Sequence, residues 1–530
     1  MRVPTSYSRL SSRRLSTSVL VASAVSFGLG FGCAGQGTSS AHAAAPTTAA
    51  AGASKTPTVT PIPASSAPDP ELQRLAGSIL VGGHAFEYLR DLSEGYGPRL
   101  TGSPVLAGAA RWTVEAFKKA GIENAKIEEF TIPHGWERRE ARARIVGQAE
   151  RSLHVMAVGW SVPTPPGGVR GQVLPVTDIE ETSRLRPEEL RGKILFMQRR
   201  PSEKGRTTPG DKDKRLIFAR AVASFHKAGV AAIVLQQRLP NHVFAAHTGP
   251  QSGDLTTPFP FLDMSSEDAA LLTRALEKGP VNLELVNTSP LLGPVAVPNV
   301  LAEIRGSTLP DEIVVVGAHL DAWDFGTGAQ DNGSGAASVL EVARAIHALG
   351  RAPKRTIRFA LWGGEEQGLL GSRAYVKAHA SELDRTVVML NTDFGTGSPK
   401  GWVADGRPDV VTRFEPLAKS VLGGLGAEAL DTEAHCDTDH CPFWLAGVPT
   451  LNLDVDGTHY FEIHHQASDT LEKVSPSALA SGAAVVAVTA LVLADTTERI
   501  APRLDHATVV VHAKEAKLFD SLVFEGILRQ

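Results

Sequence analysis

The chain has little cysteine and little net charge for its length. Its 530 residues include three cysteines, and 53 Lys and Arg against 57 Asp and Glu leave a formal charge of −4. Such a small charge gives no basis for a nucleic-acid or polyanionic partner. Apart from Cys33, the cysteines are Cys436 and Cys441, five positions apart. In an exported protein this pair is compatible with a local disulfide or with two free thiols.

The first 43 residues have the pattern of an export signal. Arg9, Arg13 and Arg14 form a basic region without acidic residues, an apolar stretch follows at 19–31, and small residues at 41–43 offer a cleavage site. The apolar stretch is too short to span a membrane comfortably. We therefore expect a secreted or periplasmic protein.

Two variants of this signal are open. Residues 12–15 weakly resemble a twin-arginine signal. Cys33 weakly resembles a bacterial lipoprotein attachment site, which would leave the protein lipid-anchored. Residues 44–70, rich in Ala, Thr, Pro and Ser, predict a disordered linker between the signal and the folded part.

The remaining chain changes its pattern along its length. Residues 146–290 contain short apolar runs between Gly and Pro breaks, which predicts a β-rich insert. Residues 71–145 and 291–500 flank it, and the second of these alternates apolar strands with amphipathic helices, as in an α/β layered domain. The apolar stretch at 478–494 fits either a membrane span or a buried helix, and its many small residues favour the buried helix. Residues 501–530 contain an amphipathic stretch without an assigned role.

Histidines and acidic residues follow the apolar strands of the α/β part, at the point where each strand is predicted to end. In chain order they are His319, Asp321, Asp331, Glu365, Glu366, Asp393, His464 and His465. Because the carboxyl ends of parallel strands meet at one edge of a sheet, these side chains are expected to converge there. Any one of these patterns alone is more often a surface coincidence, but their joint occurrence at strand ends predicts a functional site.

The combination of imidazoles and carboxylates favours zinc or a similar metal. A single catalytic zinc must keep an open position, whereas the five best-placed groups suit two metals about 3.5–4 Å apart that share a carboxylate. We predict the metal ligands to be the following: His319, Asp331, Glu366, Asp393 and His465.

Two further acidic residues have predicted catalytic roles. Adjacent glutamates at a strand end point in different directions, so Glu366 can bind metal while Glu365 faces the attacking water as general base. Asp321 lies two residues after His319 and is expected to accept the second ring N–H of that histidine, fixing its tautomer.

At these residues the chain resembles the zinc aminopeptidase and glutamate carboxypeptidase superfamily. The matching motifs are G-A-H-L-D at 317–321, A-Q-D-N-G-S-G at 329–335, G-G-E-E-Q-G-L-L-G-S at 363–372, N-T-D at 391–393 and H-Q-A-S-D-T at 465–470. The resemblance implies the same five ligands with Asp331 as the bridge, Glu365 as base, Asp321 as the acid that orients His319, and a cis peptide bond between Asp331 and Asn332.

Within that superfamily the chain most resembles the plasma glutamate carboxypeptidase branch (carboxypeptidase Q), through residues 97–103, 132–138 and 319–324. The insert resembles a protease-associated domain through residues 192–196 and 228–233. The implied fold is a mixed, mostly parallel sheet flanked by helices, with this insert. His464 stands where some relatives have a tyrosine, so the oxyanion-stabilising residue is open, with Tyr460 and His459 as candidates.

The resemblance implies an exopeptidase with two zinc ions that hydrolyses short peptides with a free N-terminus, as an aminopeptidase or dipeptidase, by means of a hydroxide that bridges the metals. A homodimer is a further implication. Three alternatives are a non-catalytic binding ectodomain on the same fold, an acyltransferase of the glutaminyl cyclase type with one zinc, and a hydrolase of non-peptide amides. The complete set of ligands and base argues against the binding ectodomain.

Overall fold

The computed structural model describes residues 61–62, 69–147, 150–198, 210–249 and 255–528. The predicted export signal, Cys33 and nearly all of the predicted linker lie outside the described residues. The sixteen strands of the described residues are β1 Lys126–Ile132, β2 Ala141–Val146, β3 Arg151–Leu153, β4 Val155–Ala157, β5 Val169–Val176, β6 Ile194–Met197, β7 Ala232–Gln236, β8 Phe261–Met264, β9 Asn282–Asn287, β10 Val295–Ile304, β11 Leu309–His319, β12 Arg355–Trp362, β13 Thr386–Asn391, β14 Pro399–Val403, β15 Ala429–Asp431 and β16 Thr450–Val455.

Helices connect these strands. Within the same residues, the α-helices are α1 Pro70–Gly82, α2 Ala85–Gly95, α3 Pro104–Lys119, α4 Pro187–Leu190, α5 Gly210–Ala228, α6 Ser266–Leu276, α7 Ser334–His347, α8 Leu370–Ala378, α9 Pro408–Leu422, α10 His440–Leu445, α11 Tyr460–Ile463, α12 Pro476–Asp495, α13 His506–Glu515 and α14 Phe519–Phe524.

The first sheet carries the residues predicted to bind metal. Its order is β1-β10-β12-β11-β13-β16-β14-β15. The central strands β12, β11, β13 and β16 are parallel to one another, and antiparallel strands flank them on both sides. This arrangement confirms the predicted mixed, mostly parallel sheet. The strands β12 and β13 are buried along their whole length, and β11 is buried from Ile313 onwards, because helices cover both faces.

Alternate residues of the central strands pack in different clusters. Val314 and Val316 of β11 belong to the main core, together with α7 and α12. Val315, between them, packs instead with Tyr375 of α8 and Phe443 of α10. Because neighbouring residues of a strand point to opposite faces, the two helix layers lie on the two sides of the sheet.

The apolar helix α12 is a core helix of this layer. Its N-cap is Ser475, whose hydroxyl accepts the Ala478 N–H at 3.3 Å, and Pro476 opens the first turn. The helix is long and apolar enough to cross a membrane by length and composition, but 72% of its most apolar window is buried. It packs against α1, α7 and α9, which favours the predicted buried helix.

A second sheet, of order β3-β2-β9-β5-β6-β7-β8-β4, is formed wholly by residues between β1 and β10. Since β1 and β10 pair antiparallel with each other in the first sheet, the second sheet interrupts the first one in sequence. It begins at Ala141, five residues before the predicted boundary at 146, because β2 pairs with β9 along its full length. Strands β5, β6, β7 and β8 are parallel, with α5 crossing between β6 and β7.

The C-terminal residues pack beside the Cys436–Cys441 pair. The structure joins these two cysteines in a disulfide, one of the two alternatives left open by the sequence. Leu518 and Leu522 of the C-terminal helices pack in one cluster with Cys441. The amphipathic stretch after residue 501 therefore packs against α10 and the residues around the disulfide rather than forming a free tail.

Candidate metal centre

The central strands bring the predicted ligands to one edge of the first sheet. His319 is the last residue of β11, and Asp393 lies two residues after the end of β13. Glu365 and Glu366 follow β12 in a turn whose Gly364 has φ +78°. Parallel strands place these carboxyl ends side by side, as the sequence predicts.

Asp331 lies in the turn Ala329–Gly333 that leads into α7, and its own backbone is not helical (φ −115°, ψ 96°). The peptide bond between Asp331 and Asn332 is cis, as the family resemblance implies. Asp469 supports this turn, because its carboxylate accepts the backbone N–H groups of Gln330 at 2.7 Å and Asp331 at 3.1 Å. Burial raises the pKa of Asp469 to about 7.

The Asp331 carboxylate lies between two histidines. Its Oδ1 is 3.2 Å from His319 Nε2, and its Oδ2 is 3.3 Å from His465 Nε2. Asp393 Oδ1 is 3.0 Å from His319 Nε2, and Glu366 Oε2 is 2.9 Å from His465 Nε2. The five predicted ligands thus form two histidine–carboxylate groups that share Asp331.

These donor atoms fit a metal cluster. Asp331 Oδ2 and Glu366 Oε1 are buried and accept no hydrogen bond, a costly state for carboxylate oxygens that metal ligation relieves. His319 is 1% exposed, and carboxylates of Asp331, Glu365 and Asp393 all approach its Nε2 within 3.9 Å. Imidazole and carboxylate donors at this density are the set that zinc accepts.

Burial dominates the electrostatics of the centre. It raises the pKa of Glu366 well above the ordinary range, with the carboxylate of Asp331 adding to the effect. The pKa of Asp393 is also raised by burial. Asp331 has a lowered pKa although burial opposes this, because His319 donates a hydrogen bond to it and two further histidines are near. A divalent cation would compensate the like charges gathered here.

Glu365 lies at the side of the cluster. Its Oε2 is 3.9 Å from His319 Nε2, farther than the oxygens of Asp331 and Asp393. Burial raises its pKa well above the ordinary range; His319 opposes this shift, and the nearby acids Asp393 and Asp439 add to it. A carboxylate with raised proton affinity beside a metal cluster is suited to accept and return a proton.

Asp439 was not singled out from the sequence. It is fully buried, its Oδ1 accepts a hydrogen bond from Ser372, and its Oδ2 has no partner. Burial raises its pKa to about 8. No sequence motif marks this residue, because its closeness to Glu365 arises only from the packing of the loop before α10.

The structure corrects the predicted contact of Asp321. His319 Nδ1 is 3.0 Å from the backbone carbonyl of Asp321 and 3.6 Å from its carboxylate. The carboxylate instead accepts hydrogen bonds from Thr101 Oγ1 at 2.9 Å and from the Glu365 N–H at 3.1 Å. Asp321 therefore fixes the His319 ring mainly through its carbonyl, while its side chain holds the turn that carries Glu365.

Arg99 supports the loop between His319 and Asp331 through hydrogen bonds to its backbone. It is fully buried and donates to the carbonyls of Leu320, Gly97, Thr327 and Gly328 at 2.7–2.9 Å. Burial lowers its pKa to about 10, and the acids around the centre oppose this shift. The sequence signal for Arg99 was its place in the 97–103 motif, but that motif did not indicate its partners.

The oxyanion candidates differ in position. His464 stacks on His465 with ring centroids 3.5 Å apart, and its Nε2 is 3.5 Å from Asp331 Oδ2. Tyr460 is buried near the centre, and burial with the surrounding acids raises its pKa well above the ordinary range. The His459 side chain is 88% exposed and pairs with Glu462, so the structure argues against this candidate.

The second sheet's domain contributes directly to the centre. The carbonyl of Ala246 accepts a hydrogen bond from His465 Nδ1 at 2.8 Å, and its N–H donates to the His465 carbonyl at 2.8 Å. This contact fixes the His465 ring so that Nε2 points at Asp331 and Glu366. No sequence pattern indicated that the insert contacts the predicted ligand His465.

Comparison with known proteins agrees with this site. Residues 299–490 match peptidase family M28. Carboxypeptidase Q from Mus musculus is 33% identical over 429 residues, which cover 78% of this chain and 87% of that protein. The chain belongs to family M28 and is a metallopeptidase, which confirms the resemblance to the carboxypeptidase Q branch.

Further relatives extend the comparison. Aminopeptidase YwaD from Bacillus subtilis is 26% identical over 407 residues, covering 75% of this chain and 81% of that protein. The crystal structure of a peptidase M28 precursor from Shewanella amazonensis aligns with a TM-score of 0.71 and 30% identity, over 82% of this chain and 98% of that one. A zinc aminopeptidase from Bacillus subtilis, with a TM-score of 0.62 and 22% identity over 80% and 97% of the two chains, shares the fold.

Proposed function

We propose that this chain is an exopeptidase with two zinc ions that cleaves short peptides with a free N-terminus, as an aminopeptidase or dipeptidase. The observation that carries the proposal is the position of Asp331, whose two oxygens each face one histidine. Each histidine also faces a second carboxylate: Asp393 lies beside His319, and Glu366 lies beside His465. The names of the relatives support a metallo-exopeptidase that uses zinc.

The five residues would hold two ions, with Asp331 as the ligand common to both. His319 and Asp393 would hold one ion, and His465 and Glu366 the other. Zinc bound here would supply a Lewis acid for the scissile carbonyl and lower the pKa of a water molecule towards neutrality. The buried carboxylates and the 1% exposed His319 show that little solvent competes for these donors.

Glu365 is the proposed general base. It accepts the proton of the attacking water and delivers it to the leaving amine, a role that requires a carboxylate close to the ligands but not among them. Asp321 holds the backbone N–H of Glu365 and so fixes the direction of this side chain. Tyr460 keeps its proton because of its raised pKa, so its hydroxyl is a candidate donor to the developing oxyanion, with His464 as the second candidate.

The export of the protein and its homodimeric state are predictions from the sequence. An export signal in residues 1–43 would place the enzyme outside the cytoplasm or in the periplasm, with lipid attachment at Cys33 as a variant. A homodimer follows only from the family resemblance. The protease-associated identity of the insert predicted at 146–290 is likewise a proposal, and it rests on the resemblance of residues 192–196 and 228–233.

The test combines metal content with a substrate pair. Wild type, Glu365→Gln and the exposed control Glu428→Gln are assayed on a dipeptide with a free amine and on its N-blocked form. We expect about two zinc ions per chain, cleavage of the free-amine dipeptide only, and a loss of kcat of about 10²–10⁴-fold in Glu365→Gln with its metal retained. One zinc ion, or equal activity of wild type and Glu365→Gln, would refute the assignment.

A further inference from the structure

A second group of potential metal ligands lies in the domain of the second sheet. His154 occupies the single position between β3 and β4, His242 lies in the turn after β7, and Asp268 lies in the first turn of α6. One ligand atom from each of these three residues lies within 4.8 Å of the other two. The other such groups among the described residues all belong to the catalytic centre.

The buried member of the group is Asp268. Its side chain is 7% exposed, and its Oδ2 is 2.6 Å from the backbone N–H of His154 and 2.8 Å from His154 Nδ1. Helix α6 therefore holds the carboxylate in place, with one face towards the two imidazoles. The rings of His154 and His242 lie with their centroids 4.1 Å apart.

The orientation of His242 is fixed by a neighbour. Its Nδ1 is 2.9 Å from the hydroxyl of Ser265, the residue that also caps the N-terminus of α6. A metal-binding histidine commonly has its other ring nitrogen held in this way. Among the residues that the structure describes, none is a partner of His242 Nε2, so this atom is available as a ligand.

We propose that His154, His242 and Asp268 form an additional zinc site, separate from the catalytic centre. Two imidazoles and one carboxylate are the zinc donors of many three-ligand sites, with water in the fourth position. The side chains of His154 and His242 are 64% and 41% exposed. An ion can therefore reach these two imidazoles from the solvent.

An ion pair between His154 and Asp268, with His242 Nδ1 held by Ser265 and 3.6 Å from Glu267, is the simpler interpretation, but it gives His242 Nε2 no role. The His242 ring lies tilted beside the His154 ring, with centroids 4.1 Å apart, and one of its nitrogens is within 4.8 Å of an Asp268 carboxylate oxygen. A bound ion would join three segments that are far apart in sequence: the β3–β4 junction, the turn after β7, and α6. Such a cross-link stabilises the folded domain by a free energy that rises with the logarithm of the free ion concentration once this exceeds the dissociation constant.

The test measures zinc retained by metal-stripped, reloaded full-length protein against a chelator of micromolar affinity. The double variant His154→Ala/His242→Ala is expected to bind one equivalent less than wild type. His226→Ala, which removes an exposed histidine of α5 in the same domain, is expected to bind as wild type does. Equal zinc content in wild type and the double variant would overturn the proposal, whatever the occupancy of the catalytic centre.

Two further variants keep the test decisive if the double variant folds poorly. Ser265→Ala is expected to weaken zinc binding at this site by about 10–100-fold, because the ring of His242 loses its support. His242→Cys replaces one zinc ligand by another and is expected to keep the additional equivalent. With Co²⁺ in place of zinc, the His242→Cys protein is expected to show a thiolate charge-transfer band; its absence would show that the ion does not bind at this position.

Discussion

Replacing Arg99 by methionine tests how the loop before Asp331 is held. Methionine keeps most of the apolar length of the side chain but donates no hydrogen bond. The carbonyls of Gly97, Leu320, Thr327 and Gly328 would lose a donor at 2.7–2.9 Å. The contacts to Leu320 and Gly328 are buried, those to Gly97 and Thr327 are part-buried, and the Gly328 carbonyl also accepts the Gly333 N–H at 3.0 Å.

The magnitude follows from the number of bonds. A buried polar group left without its partner costs about 1–3 kcal/mol, and bonds to charged donors lie in the upper part of this range. The full cost applies to the buried Leu320 carbonyl, whereas the part-burial of Gly97 and Thr327 and the second donor to Gly328 reduce the cost at the other three. We therefore expect Arg99→Met to lower the free energy of unfolding by about 2–4 kcal/mol.

The assay is urea unfolding of the zinc-loaded protein, followed by fluorescence, with kcat measured in parallel. Arg90→Met is the matched control, because Arg90 is half exposed and pairs only with the neighbouring Asp91. That change should cost less than about 0.5 kcal/mol. A destabilisation below about 1 kcal/mol for Arg99→Met, or one equal to that of Arg90→Met, would refute the reasoning.

Three other outcomes are expected. Removal of metal by a chelator should lower Tm and added zinc should restore it, because the buried carboxylates then lose their counter-charge; an unchanged Tm would contradict the metal centre. Gly326→Ala would place a Cβ atom 2.5 Å from the carbonyl of Gln466, the residue after His465, and should reduce the free energy of unfolding by about 1–3 kcal/mol and lower kcat. Gly424→Ala, which has open space around it, should change neither quantity. Partial burial by itself would raise the pKa of Glu312, but the side chains of Arg355 and Arg499 outweigh burial and lower it. The stabilisation by Glu312 is therefore present above its unfolded-state pKa and is lost as the pH falls through its folded-state pKa. Urea titrations should show the unfolding free energies of wild type and Glu312→Gln converging in acid.

Much of the first sheet was predictable because its strands are buried on both faces. The sequence has largely apolar runs in β11, β12 and β13, and a predicted ligand or acid lies at or within a few residues of the end of each strand. The flanking strand β10, which contains Pro298, was not among the predicted strands. The structure accommodates this proline because the β10–β12 pairing starts only at Val300, beyond it.

The types of metal-binding side chain and their order along the chain follow from the sequence alone. Strand ends, motif spacing and the Glu365–Glu366 pair are local features. The contacts between individual atoms of these residues depend on tertiary packing. Only packing shows that Asp321 meets His319 mainly through its carbonyl, and that Asp439 is buried near Glu365. The hold of Ala246 on His465 joins residues 219 positions apart. Contacts of this kind depend on the relative placement of whole sheets and loops, which no local pattern records.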